Sequence, residues 1–362
     1  MPAPARPSRA AERRSLTKKK WKWLALAALL LALAAWLVVA RWTGRRFDWR
    51  VFSLTFARLR WDWLAAALAL ALASYFGRAL RWAVLMRPVK ARANLWGLFT
   101  ATLIGFTAIT LLGRPGELVR PYLIAAREKV PISSQMAAWL LERIYDLLII
   151  LAIFGFALSR VRRSDAALGP ALTWVFATGG WFVAVLSILT LGMLVAFHQF
   201  SDPMRRRLLD ALSGLPDRHL QTADRLITAF IQGIESIRSM PALLLAVFYT
   251  VLEWATIAVA TFCVMQAFGA AVHFGWLDVL IFLGFLAFGG IVQIPGVGGG
   301  MQVVAVLVLT QLFRIPLEIA TSIALIVWST SFVVVVPFGL ILAVQEGIRW
   351  GSLKQLEEKV LT

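Results

Sequence analysis

Apolar residues run along this chain in blocks too long for the core of a soluble domain. Runs able to cross a ~30 Å hydrocarbon layer occupy about residues 23–41, 62–86, 133–158, 172–197, 240–268 and 316–345. Two further apolar regions are interrupted by glycine and proline. The first, 95–126, breaks at Gly113 to Glu117; the second, 276–313, breaks between Ile294 and Gly300. Proline removes a backbone donor and disfavours helix at the residue before it, while glycine permits tight backbone. Each broken region therefore predicts two short helices that enter the membrane, turn and leave by the same side; a span that crosses and kinks is the other reading. The predicted fold is all-α, a polytopic integral membrane helix bundle with six full spans plus two re-entrant helix pairs.

The order of the segments repeats. Residues 23–158 read span, span, re-entrant pair, span, and residues 172–345 read the same, starting from the opposite side. That is the pattern of an inverted repeat with broken helices in corresponding places, as in transporters that bind substrate near the midplane. The expected organisation is a basic tail at 1–22, a transmembrane domain at 23–346 with inverted halves 23–158 and 172–345, and a second tail at 347–362.

Charge sets the orientation. Eight Lys and Arg residues between Arg6 and Lys22 place the first tail in the cytoplasm by the positive-inside rule. The run that follows is long for a secretory signal and reads as an uncleaved first helix. Segments 87–94, 127–129, 198–239 and the last tail then fall inside as well. The arginine-rich 42–61 falls outside against the rule; its Trp and Phe residues suggest a segment lying along the headgroups. The expected location is the bacterial cytoplasmic (inner) membrane, multi-pass, with both termini cytoplasmic.

Composition agrees: 60% hydrophobic and 15% charged residues leave no room for a sizeable soluble domain. The net charge of +18 is concentrated in tails and loops, where it suits anionic lipid headgroups rather than nucleic acid. Cys263 is the one cysteine, and His198, His219 and His273 are scattered, so neither a disulfide within the chain nor a metal site is expected. No cofactor is expected. The glycine-rich stretch at 296–300 lacks a following Lys-Ser/Thr, so it is not a P-loop, and no Ser/His/Asp or Cys/His constellation is visible.

The candidate chemistry lies in charged residues held between apolar runs. Each would cost roughly 2.5–3.5 kcal/mol at a lipid-exposed helix centre. In "GRPGELVRP", Gly113 and Gly116 allow tight backbone, Arg114 and Arg120 suit a lipid phosphate, and Glu117 could orient an arginine or meet a cationic headgroup. In "LLERIYDLL", Glu142 and Asp146 share a helix face with Arg143 beside them; a structural salt bridge and a substrate path both fit. Glu253 stands alone in its apolar run and requires a partner or water. In "QIPGVGGGMQ", Pro295, Gly296, Gly298 and Gly300 let backbone approach a ligand, with Gln293 and Gln302 supplying neutral hydrogen bonds; close helix packing is the plainer account.

The pair "GRPGELVRPYLI…LLERIYDLL" and "IPGVGGGMQ", in this order, resembles the membrane domain of lysylphosphatidylglycerol synthases and its stand-alone, flippase-like relatives over roughly residues 20–345. The resemblance implies movement of lipid between leaflets. It puts Arg114, Gly116, Glu117 and Arg120 in one signature, Glu142, Arg143 and Asp146 in a second, and Pro295, Gly296, Gly298 and Gly300 in a third. Relatives commonly carry an acidic residue where Gln302 stands, which bears on the headgroup accepted. The aminoacyl-transferring soluble domain has no counterpart, so lysyl transfer is not expected. The leading expectation is a non-enzymatic translocase for a phospholipid or related polar lipid, driven downhill or by ions. A membrane-embedded enzyme acting on lipid headgroups, or a non-catalytic subunit of a lipid or glycan transferase, are the alternatives. Expected partners are membrane lipid, not nucleic acid, with a separate transferase or a second copy of the chain as protein partners.

Overall fold

The computed structural model describes residues 47–161, 178–195, 217–234, 239–269, 271–290, 293–294 and 298–347. The expected first span at 23–41, the first tail and the second tail beyond Gly347 lie outside the described residues. The chain forms two units, Met1–Trp49 and Arg50–Thr362. In the first, the rings of Phe47 and Trp49 meet edge to face at 4.8 Å; the second holds the helices from Arg50 onward.

The helices in chain order are α1 (Trp49–Ala57), α2 (Trp61–Leu85), α3 (Leu95–Leu112), a 3₁₀ turn (Arg114–Leu118), α4 (Val119–Glu128), α5 (Ile132–Val161), α6 (Thr178–Val195), α7 (Asp217–Ile234) and α8 (Met240–Ala267). They continue with α9 (Trp276–Gly289), α10 (Gly300–Gln311), α11 (Leu317–Trp328), a π-helical turn (Ser329–Val333) and α12 (Val335–Gln345). Among the described residues, six helical stretches are long and apolar enough to cross a membrane: α2, α3, α5, α6, α8 and the α11–α12 rod. Five coincide with runs read from the sequence. The sixth, α3, is the longer arm of the broken region 95–126. The break falls at Gly113 and leaves α3 with 18 residues, about 27 Å of helix at 1.5 Å per residue.

Both broken regions nevertheless fold as hairpins. Asn94 starts α3 by accepting from the backbone N–H of Trp96 and Gly97, as an N-cap should. At the far end of α4, Glu128 accepts from the Asn94 N–H at 3.2 Å and pairs with Lys90 at 2.6 Å. The two ends of the first hairpin thus meet. The second closes through the rings of Phe274 and Phe313, 4.8 Å apart, and Gln266 Nε2 donates to the Phe274 carbonyl. Its tip carries a two-residue antiparallel pairing, Gln293 with Gly299 and Ile294 with Gly298.

The hairpins open at opposite ends of the bundle. The Arg60 N–H, just before α2, donates to the carbonyl of Ala267, the last residue of α8, at 3.0 Å. The helix α2 runs toward the first hairpin's mouth, so that mouth lies at the end opposite the second. The swap is mirrored in the packing. The α3 arm lies against α12, where Thr107 Oγ1 donates to the Val335 carbonyl. The α9 arm lies against α5, where the rings of Phe154 and Phe285 meet at 5.2 Å. Both tips turn on a glycine with positive φ, Gly113 at 74° and Gly299 at 131°, a conformation open to residues without a Cβ. Both exits carry a left-handed basic residue, Lys129 (φ 56°) and Arg314 (φ 58°). The two hairpins thus share backbone features at tip and exit.

Candidate functional site

Helices α2, α5 and α8 bring seven ionisable side chains together with α4. Arg78 and Arg81 stand three apart on α2 and so share a face. Glu142, Arg143 and Asp146 come from α5, Glu253 from α8 and Arg120 from α4. Asp146 lies halfway along the 30 residues of α5, and Glu253 halfway along the 28 of α8. The cluster therefore sits at mid-helix depth.

Arg81 is the hub and has no solvent exposure. Its Nη1 donates to Asp146 Oδ1 at 2.7 Å and to Thr250 Oγ1 at 3.2 Å; its Nη2 donates to Glu142 and lies 3.1 Å from Glu253 Oε2. Glu142, also fully enclosed, receives Arg120 Nη1 on both oxygens at 3.0 and 2.9 Å. Arg120 Nη2 donates to the Arg78 carbonyl, and its guanidinium lies 4.1 Å from the Trp82 ring. Arg78 pairs with Glu253 Oε1 at 2.9 Å, its guanidinium 4.5 Å from the Phe106 ring. Arg143 pairs with Asp146 Oδ2 at 3.3 Å. Buried charge is tolerated when it is paired, and every charge in this network has an ion-pair partner, while the Nε atoms of Arg81 and Arg120 are buried without a hydrogen-bond partner among the described residues.

Beside the network lies a cavity of about 450 Å³. Arg78, Arg143, Asp146 and Glu253 form its charged end. Its apolar walls include Leu70 and Ala71 of α2, Ile257 and Val264 of α8, and Leu283 and Leu286 of α9. The π-helical turn contributes Thr330, Ser331 and Phe332, and the Ser331 carbonyl accepts from Tyr75 Oη at 2.9 Å. Among the described residues, no group of three or more His, Cys, Asp or Glu side chains is arranged to hold a metal ion.

The sequence candidates separate into three sets. Arg114 and Glu117, paired at 2.6 Å, line the cavity, and Arg114 Nη2 reaches the Gly290 carbonyl on the other hairpin at 3.3 Å. Arg143, Asp146 and Glu253 line it as well, whereas Arg120 and Glu142 are locked behind it in the ion-pair network. The terminal nitrogens of Arg120 are held by Glu142 and a carbonyl, so its place is to fix the carboxylate rather than to face the cavity. Gly116 serves packing: a Cβ there would fall 2.4 Å from the Ala108 carbonyl. In the second motif, Gln293 and Gly298 pair through backbone, and Gly300 opens α10. Gln302 turns back to accept from the Gly299 N–H at 2.7 Å. Pro295 and Gly296 lie outside the described residues.

Arg78 and Arg81 were missed by the sequence reading, which took 62–86 as an ordinary span. The signal was present: two arginines inside an apolar helix require interior partners. A family model described as the lysylphosphatidylglycerol synthase TM region matches residues 18–339 of the 362-residue chain. No curated protein matches it.

Proposed function

The chain belongs to the lysylphosphatidylglycerol synthase TM region family and is a multi-pass membrane protein, and from that premise we propose that it is a lipid translocase of the bacterial inner membrane. The observation that carries this reading is the cavity: charged at mid-helix depth and apolar along its other walls, it has the polarity of a phospholipid. A headgroup exchanges into the ion pairs of Arg78, Arg143, Asp146 and Glu253 while hydrocarbon follows the walls of α2, α8 and α9. The two hairpins, opening at opposite ends, supply the two sides of an alternating pathway. Segments 87–94 and 127–129, at the mouth of the first hairpin, carry Arg87, Lys90, Arg92, Arg127 and Lys129, which favours the cytoplasm for that end. With no nucleotide motif in the sequence, movement is downhill or ion-coupled.

The test is leaflet transfer in vesicles holding the purified protein and a fluorescent phospholipid, with membrane-impermeant reduction of the outer label. The wild type exposes the inner pool faster than empty vesicles do, and Asp146→Asn and Glu253→Gln slow it. Transfer no faster than in empty vesicles defeats the reading. Chemically altered lipid formed by the protein in detergent, where leaflets do not exist, replaces it with an enzyme.

A further inference from the structure

We propose that a groove beside α1 holds one phospholipid from the leaflet on the side of the second hairpin's mouth. An acyl segment lies in the groove and the phosphate meets Arg58. The site is apart from the central cavity, and it stands whether or not the protein moves lipid. The first observation is the level at which α1 lies. Arg60, between α1 and α2, donates its N–H to the carbonyl of Ala267 at the end of α8. The end of α1 is therefore level with the termini of two membrane-crossing helices. Trp61 opens α2 and is 68% exposed, as tryptophans are at the boundary between hydrocarbon and headgroups. A short helix with one apolar face at this level lies along the membrane surface.

The second observation is the groove itself. Phe56 and Leu59 pack into the hydrophobic core, while Val51, Leu54 and Arg58, at helical spacing, stay exposed on one face. Between that face and Phe268, Ala271 and Ile319 lies a groove of about 280 Å³. Its walls are apolar apart from Thr55 and Arg58. The Thr55 hydroxyl donates to the Val51 carbonyl at 2.8 Å, which leaves Arg58 as the charged group of the groove. Nearby Arg60 is balanced by Asp62 at 2.9 Å; Arg58 has no carboxylate partner among the described residues. An apolar trough with one guanidinium at its edge has the chemistry of a hydrocarbon chain joined to a phosphate. A second copy of the chain fits less well, because a two-fold contact through this face would set Arg58 against its own copy. A lipid phosphate also gives a counter-charge to a basic residue of 42–61, the segment whose charges run against the positive-inside rule.

The test is photo-cross-linking of the full-length protein in detergent with phosphatidylglycerol that carries a diazirine on one acyl chain, mapped by peptide mass spectrometry. Adducts are expected on α1 and around Phe268 and Ile319, enriched over those on α6, an apolar helix only 11% buried. Arg58→Gln lowers labelling at the groove roughly fivefold, the worth of one basic residue at an anionic lipid surface, and leaves α6 labelling unchanged. Leu54→Trp fills the groove, keeps the charge and removes the adducts. Both positions are exposed, so thermal unfolding of the two variants stays at the wild-type midpoint. Diacylglycerol with the same diazirine chain and no phosphate labels the groove no more than α6, and inorganic phosphate at concentrations equal to the lipid does not compete. Labelling spread evenly over α1 and α6 overturns the proposal, as does labelling that Arg58→Gln leaves intact. Adducts at the groove to protein, from a second copy or from another segment of the chain, in place of lipid overturn it as well.

Discussion

Arg81 Nη1 lies 2.7 Å from Asp146 Oδ1, with the arginine wholly enclosed in the protein. The same guanidinium reaches Glu142 and Glu253, so one cation ties together three carboxylates from two other helices, each of which has a further arginine of its own.

Replacing that cation is expected to cost more than any other single change in the network. Arg81→Met leaves the buried carboxylates short of a partner, a loss of about 3–5 kcal/mol. Thermal unfolding of detergent-purified protein checks it; an unchanged midpoint would show that Arg81 is not the hub.

Gly339→Ala is expected to separate α12 from α3. The new Cβ falls 2.0 Å from Thr107 Oγ1 and 2.7 Å from the Leu103 carbonyl, and overpacking of this kind costs about 1–3 kcal/mol. The Thr107→Ala background removes the nearer clash but not the backbone one, so the double variant should recover only part of the loss in the same unfolding measurement.

Opposed hairpin mouths make a topological prediction. With Cys263→Ser as background, Arg92→Cys and His273→Cys place single thiols at exposed positions beside the first and second mouths. An impermeant maleimide added to sealed, uniformly oriented vesicles should label one of them and spare the other. Labelling of both from one side contradicts the inverted arrangement.

Filling the apolar part of the cavity should stop transport without touching a charge. Ala287 lines the cavity and is only partly buried, so Ala287→Phe occupies space with little strain. Leaflet transfer is expected to fall several-fold at unchanged thermal stability, and transfer at the wild-type rate rules out this cavity as the route.

Much of this architecture was legible in the sequence because membranes make polar residues conspicuous. The breaks at 113–117 and 294–300 announced the hairpins, and Glu142, Asp146 and Glu253 announced a polar interior by their cost in lipid. Arg78 and Arg81 escaped because a long apolar run absorbs two charges without losing its appearance as a span. For Glu142 the sequence left a salt bridge and a substrate path both open, and the pair with Arg120 is the salt bridge; residue type alone does not choose between a charge that faces a cavity and one that faces another charge. The role of Gln302 in holding the Gly299 N–H is a local turn contact that residue type alone does not reveal. The expected symmetry is visible in the sequence only as segment order, and the features the two hairpins share, positive φ at Gly113 and Gly299 and at Lys129 and Arg314, are backbone angles that residue identity does not reveal.

The two mouths are latched by different physics. Lys90 with Glu128, and Arg127 with Glu346, fasten the first through partly exposed ion pairs, which dissolved salt screens. Phe274 and Phe313 fasten the second through an aromatic contact, which salt does not screen. Ionic strength therefore acts on the two contacts unequally: it loosens the ion pairs that fasten the door of the first hairpin and leaves the packing of Phe274 on Phe313 as it was.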